Sequence, residues 1–591
     1  MRHIVDPLQG RLFDPFQQII PPLGLKSIAN GWQSIFRAVL LPLMPVGKLG
    51  GRLHPFLGRP SKELYSVAGL LFLQEAKGWT NDDAVQAYLF HTDVQFALNL
   101  EPGFDQISLC TFERYRALFR DNDLAAQLMN DITMKLVDEL DLHIDQQRLD
   151  STHVFSDMAS FGRTRMMAVC NKRFLTQVLR HHADTFAALP EVLRQRYAPS
   201  QAKLLATKGL SADQRSKSRL QVAEDMRELI NRFADHPGLN QRPSYQAMVT
   251  VFHQQCEIVE EKIVIKAKTG GRCVQNPSDM DATYDGHKGQ GHKVQLVETC
   301  SDENDVQLIL TAVPQTAAEH DANALTPVLA DLKEKDLLPD VMLTDTAYGS
   351  DENVQEAAKL GVELVAPMPG AGPELADAPV SDEATTPATE SAHATPPTTP
   401  LEKLTIDDFS VDERTGKVEA CPSGRMPLNV LYNQGANADK TTIEMKPEDC
   451  VNCPFREACP VRKTKKDKYK VEYTPKQRRQ EERRREEDTP AFRERYAKRS
   501  GLESTNSGLK RKHRLGKLRV RGRPAVRHAI FLKVAGWNMN RATASGKLAS
   551  KAAEILRKLG FGGWLSACFW LFCALMGVCR IRRPATPRSA N

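Results

Sequence analysis

The chain turns on Tyr496-Ala-Lys-Arg499-Ser-Gly-Leu-Glu503-Ser-Thr-Asn-Ser-Gly-Leu-Lys510. If the stretch is helical, Tyr496, Arg499, Glu503 and Lys510 recur at intervals that place all four on one face. One acid is then held among cations. A carboxylate beside Arg499 and Lys510 stays ionised at neutral pH, as a ligand of a divalent metal must. A solvated charged helix with accidental spacing is the plainer alternative.

Two upstream aspartates stand in comparable settings. Asp150 lies in His143-Ile-Asp-Gln-Gln-Arg-Leu-Asp150-Ser-Thr-His-Val154, and Asp345 in Val341-Met-Leu-Thr-Asp345-Thr-Ala-Tyr-Gly349. Each is expected to close a strand. The Tyr-x2-Arg-x3-Glu-x6-Lys pattern resembles the Glu-bearing motif of bacterial insertion-sequence transposases of the Asp-Asp-Glu (DDE) type. The two aspartate segments resemble that family's first and second motifs. The resemblance implies an α/β catalytic core with a ribonuclease-H-like mixed sheet, its first and fourth strands adjacent. It also implies DNA cleavage at insertion-sequence ends and strand transfer into target DNA. By the same resemblance Asp150, Asp345 and Glu503 are the catalytic residues and hold two Mg2+ or Mn2+ ions, for which hard carboxylate oxygens are suited. Double-stranded DNA, as terminal inverted repeats and as target, is the implied partner, with at least a dimer in the synaptic complex. Asp157 and Asp285 are outside candidates for the ligand set, and His153, His287 and His292 take no assigned role.

The charge distribution agrees. A net charge of +7 over 591 residues is only mildly basic. However, Ser504 to Ser550 contains no Asp or Glu, while Lys510, Arg511, Lys512, Arg514, Lys517, Arg519 and Arg521 crowd together. That is an electrostatic footprint for a polyanion. With Tyr496 and Arg499 these are the candidate DNA-binding residues. Apolar residues interleave with them, so the segment is expected to fold. Twelve cysteines, mostly scattered and with no signal peptide ahead, point to a reducing compartment. The expected setting is cytoplasmic and nucleoid-associated. Cys421, Cys450, Cys453 and Cys459 form a cluster that reads as a structural zinc site, with buried thiols as the alternative. The uncharged run 561–579 is about long enough to span a bilayer, but reads as a buried terminal helix or an off-frame tail; a membrane partner is not expected.

In chain order the expected organisation is an all-α N-terminal domain over 1–140 that binds DNA ends, then the first part of the core over 141–170. A helical insertion follows over 171–282, and the second part of the core over 283–366. A Pro/Thr/Ala-rich linker at 367–405 leads to a Cys-containing insertion at 406–474. The last part of the core, with the Glu helix and basic segment, occupies 475–546, and an apolar tail fills 547–591. Ser61 is expected to cap the helix carrying Leu64 to Leu73, and Thr80 with Asp83 reads as a capping box. Val294 and Leu296 alternate with polar neighbours as a half-buried strand, paired across Ser301–Asn304 with Val306 to Val313. The linker and the tail are not features of the transposase family. Two other readings stay open: a structure-selective nuclease on the same fold that never joins ends, and an inactive DNA-binding derivative.

Overall fold

In the computed structural model the first long helix, α1 (Leu64–Lys77), is capped not by Ser61 but by Glu63, whose carboxylate accepts from the amides of Tyr65 and Ser66. Ser61 is occupied elsewhere: its hydroxyl accepts from the amide of His3, and His3 forms a parallel bridge with Glu63. The expected capping box is present. Thr80 and Asp83 satisfy each other's amides at the start of α2 (Asn81–Phe90). Helices α3 (Leu109–Asp121) and α4 (Leu124–Leu140) follow, the latter burying Leu124, Leu128, Ile132, Leu136 and Leu140 at helical spacing.

The structure describes residues 1–9, 14–51, 53–103, 105–200, 204, 211–368, 404–412, 417–433 and 439–559. The linker over 369–403 and the apolar run 561–579 lie outside them. The chain divides into one unit of Met1–His320, Pro327–Pro339 and Gly501–Asn591, and another of Asp321–Thr326 and Asp340–Ser500. Among the described residues no helix is long and apolar enough to cross a membrane.

In the first unit, β1 (Gln146–Val154) carries Asp150. Helices α5 (Arg163–His181), α6 (Ala212–Phe233) and α7 (Pro243–Gln255) then close on a core of their own, which includes Phe174, Met226, Phe233 and Met248. The sheet resumes with β2 (Thr283–Asp285), β3 (Gly289–Thr299) and β4 (Ile309–Thr316). Strand β3 pairs antiparallel with β1, with Asp150 opposite Leu296 and Arg148 opposite Glu298. Strands β2 and β4 pair antiparallel with β3 at successive stretches. The alternation read at Val294 and Leu296 does fall on a strand, but not a half-buried one: Lys293 and Gln295 are buried as well, so β3 is covered on both faces. Asp150, expected to close its strand, lies in the middle of β1, because the ladder continues to Val154 opposite His292. Ser151 to Val154 are all buried, so the chain has no exposed point at which to turn after Asp150.

After Gly501 the chain returns to this unit as α8 (Gly501–Lys512), an extended segment, α9 (Arg523–Ala544) and α10 (Lys547–Leu559). Helix α9 is buried along most of its length. Its Ile530, Leu532 and Val534 share one hydrophobic core with Leu70 and Leu73 of α1, Leu128 and Ile132 of α4, and Val294 and Leu296 of β3. The basic region does fold, as its interleaved apolar residues imply.

The second unit contains a parallel strand pair, Val341–Leu343 and Glu363–Val365, joined through the helix Asp351–Ala358, which Ser350 caps. It also carries a four-stranded antiparallel sheet in the order Asn429–Asn433, Lys440–Met445, Tyr469–Tyr473, Arg462–Lys463. The mixed-charge helix Pro475–Glu487 buries no residue, as a solvated helix should.

The opening stretch is not one continuous α-helix. Helix Pro490–Ala497 gives way to a 3-10 turn at Lys498–Ser500 before α8 begins. Ser500 folds its hydroxyl back onto the Ala497 carbonyl at 2.8 Å, and Gly501 follows with no side chain to extend the helical stack. Tyr496 and Arg499 therefore precede the break, and the expected single face of four residues reduces to Glu503 and Lys510 on α8.

Candidate active site and nucleic-acid interface

Position and charge at α8 are set by a carboxylate that sequence reasoning missed. Glu298 of β3 is fully buried. Arg148 donates from Nε and Nη2 to one of its oxygens at 2.9 and 2.6 Å, and Thr505 of α8 donates to the other at 2.7 Å. Burial pushes the Glu298 carboxyl above its usual range, while Arg148 and Thr505 pull the other way. The three residues join β1, β3 and α8. The approach of α8 to β1 requires glycine at its first position: a Cβ on Gly501 would lie 2.0 Å from Nη1 of Arg148. Further along, a Cβ on Gly508 would lie 2.4 Å from the Trp537 ring, so its absence lets α9 pack against the same helix.

One turn beyond Glu503, Asn506 donates from Nδ2 to Oδ2 of Asp150 at 3.2 Å. The other oxygen of Asp150 accepts from the Ser151 amide at 2.8 Å. The helix of the glutamate and the strand of the first aspartate are thus directly bonded. Lys510 belongs to the same group. Burial lowers its pKa first, Lys288 lowers it further, and Asp150 opposes both. His153 is buried beside Phe155, with Nε2 3.2 Å from the Gln290 carbonyl, and burial lowers its pKa. It is a packed histidine. Asp285 is occupied by its own turn, accepting from the amides of His287 and Lys288, and His292 pairs with Asp279 at 3.1 Å.

In the second unit, Asp345 follows the strand Val341–Leu343 and caps a 3-10 turn, accepting from the Ala347 amide at 2.9 Å. Arg499 approaches its other oxygen at 3.9 Å. Tyr496 stacks on Phe492 with ring centroids 5.8 Å apart, so its ring takes part in local packing.

As the side chains stand, no three His, Cys, Asp or Glu among the described residues are grouped to hold a metal ion. The donor chemistry around Asp150 nevertheless suits a hard cation. Oδ1 of Asn506 is buried and lacks a hydrogen-bond partner among the described residues, one bond away from a carboxylate. Such an oxygen is costly to leave unsatisfied and is a natural ligand for Mg2+ or Mn2+.

The cations after α8 run along an extended segment. Phe155 bridges Lys517 in parallel, its amide donating to the Gly516 carbonyl at 3.0 Å and its carbonyl accepting from Leu518 at 2.8 Å. Along this segment Leu518 is buried and Val520 half-buried, while Lys517, Arg519 and Arg521 are exposed. The strand-like alternation sends apolar side chains inward and cations outward, about 6.6 Å apart. Arg511, Lys512 and Arg514 are exposed just before it.

Arg148, Glu298, Thr505 and Asn506 were the residues not singled out in the sequence. Asn506 could have been found as the residue one helical turn after Glu503; Glu298 could not, because its importance depends on a cross-strand register. Residues 420–543 match the family model described as a transposase DDE domain. No curated protein matches the chain. Asp150 and Asp345 lie outside the matched residues, whereas the four clustered cysteines, Glu503 and the basic segment lie inside them. Over residues 420–543 the chain is thus similar to transposase DDE domains.

Proposed function

We propose that the chain is a DNA transposase that cleaves at the ends of its element and transfers the freed strand into target DNA, with Asp150, Asp345 and Glu503 as its catalytic carboxylates. The observation that carries this reading, beside the family match, is the Asn506–Asp150 hydrogen bond, which ties the Glu503 helix to the strand of the first aspartate. Divalent ions held by the three carboxylates would generate the nucleophile from water or a 3′-hydroxyl and offset charge on the leaving oxygen. Asn506 fixes the orientation of Asp150, and Arg499 steadies Asp345. Lys510, beside Asp150, suits a phosphate oxygen. Lys517, Arg519 and Arg521 follow the DNA backbone without reading sequence. Paired ends call for at least two copies in the active complex, and the expected setting is the bacterial nucleoid.

The test uses uncleaved and precleaved duplexes made from the DNA flanking the gene, a target plasmid, and Mg2+ or Mn2+. Joined products are expected. They should fall about 10³-fold or more in Asp150→Asn, Asp345→Asn or Glu503→Gln. Cleavage without joining would identify a nuclease. DNA binding with neither reaction in the wild-type chain would leave only a DNA-associated scaffold.

A further inference from the structure

The four-stranded sheet of the second unit has a thin core, built from Phe409, Val418, Ile443, Met445, Val461 and three residues of the strand Tyr469–Tyr473, with Cys450 buried among them. So small a core seldom holds a module by itself, and such modules commonly carry a covalent or metal staple. Cys421, Cys450, Cys453 and Cys459 all line one small pocket at its edge. Each is presented by local backbone structure. Cys421 opens the tight turn Cys421-Pro-Ser-Gly424, closed by the Gly424 amide on the Cys421 carbonyl at 2.8 Å, with Gly424 at a φ of +78°. Cys450 lies in the short helix Pro447–Val451. The Cys453 carbonyl accepts from Arg456 at 3.0 Å, and the Cys459 amide donates to Phe455 at 2.8 Å. The pocket contains no histidine. Arg456, the cation beside it, is engaged by the Val461 carbonyl at 2.8 Å and by the Tyr469 ring.

From this arrangement we infer that the module binds one Zn2+ ion through the thiolates of Cys421, Cys450, Cys453 and Cys459. Four sulfurs presented from two separate segments, the turn at Cys421 and the stretch from Cys450 to Cys459, are the donor set of a closed, tetrahedral structural site. The sulfurs border the pocket without being grouped about a common centre, and binding of the ion would draw them together by rotation about χ1. Binding releases the thiol protons to solvent and couples metal affinity to folding of the module. The role is structural, since a site with four protein ligands has no open position for substrate. The inference does not depend on the strand-transfer reading.

The experiment uses the full chain, purified without chelator and analysed for zinc and iron, with Cys450→Ser/Cys453→Ser as the test variant and the exposed Cys110→Ser as control. About one zinc per chain is expected in the wild type and in the control, with about a tenfold drop in the test variant. Because the variant could misfold, Co2+ is also exchanged into the wild-type chain. A thiolate-to-cobalt charge-transfer band with tetrahedral d–d absorption is expected. Zinc-free wild-type chain that also fails to give this spectrum, zinc retained in the test variant, stoichiometric iron, or a disulfide within the cluster would each overturn the inference.

Discussion

Replacing Arg148 with Met tests the buried carboxylate that ties α8 to the sheet. Glu298 has two partners on one oxygen from Arg148 and one on the other from Thr505, and no exposed surface. Without Arg148 the carboxylate keeps Thr505 alone, and breaking such a buried pair costs about 3–5 kcal/mol. Thr505→Val removes one hydrogen bond to a charged acceptor and should cost about 1.5–3 kcal/mol. The double change Arg148→Met/Glu298→Leu removes both charges together, and should recover to within about 1 kcal/mol of the wild type. Because burial already raises the Glu298 pKa, the Arg148→Met penalty should shrink as pH falls and the carboxyl takes up its proton. Urea unfolding followed by tryptophan fluorescence isolates the effect, since none of the five tryptophans falls within Asp321–Thr326 or Asp340–Ser500. A loss below about 1 kcal/mol for Arg148→Met, or a double variant no more stable than the single one, would refute the reasoning.

Two further outcomes are expected. His513, just after α8, and His528, on α9, are both buried, and burial holds each pKa down at about 4. His513 faces Lys533, Lys77, Lys512 and the Ala76 backbone; His528 faces Glu75, Arg116, Arg120 and Asp123. A depressed folded-state pKa means that each neutral ring contributes stability above the unfolded value near 6.5. That contribution, roughly 3 kcal/mol apiece, is lost as pH falls from there through 4. His528→Phe should therefore move the acid-unfolding midpoint to lower pH, and an unchanged or higher midpoint counts against this account. For DNA, Lys517→Ala/Arg519→Ala/Arg521→Ala should weaken binding about equally for any sequence and reduce the slope of log K against log salt by roughly 3. Fluorescence anisotropy on several unrelated duplexes would show it; a loss confined to one sequence would mean that these residues read bases.

What could be read in the sequence was local. The Thr80–Asp83 cap, the apolar stripe of α4, the β3–β4 hairpin and the solvated helix at 475–487 each depend on neighbours within a few residues, so periodicity and cap chemistry sufficed. The folding of the basic segment was legible for the same reason. Glu63 in place of Ser61 shows the limit: the serine hydroxyl accepts from the amide of His3, far away in sequence, and the longer side chain of Glu63 takes the amides at the helix start. Likewise, the need for glycine at position 501 comes from Arg148, more than three hundred residues upstream, whose guanidinium occupies the space a side chain would take. By itself the sequence determined the residue types of the candidate site, the positive sign of the segment after Glu503, and that Asp150 lies on a strand and Glu503 on a helix. Only the tertiary structure decided that Asn506 bonds Asp150 and that Glu298 holds Arg148 and Thr505, because cross-strand register and helix approach are set by packing over the whole chain and leave no trace in local spacing.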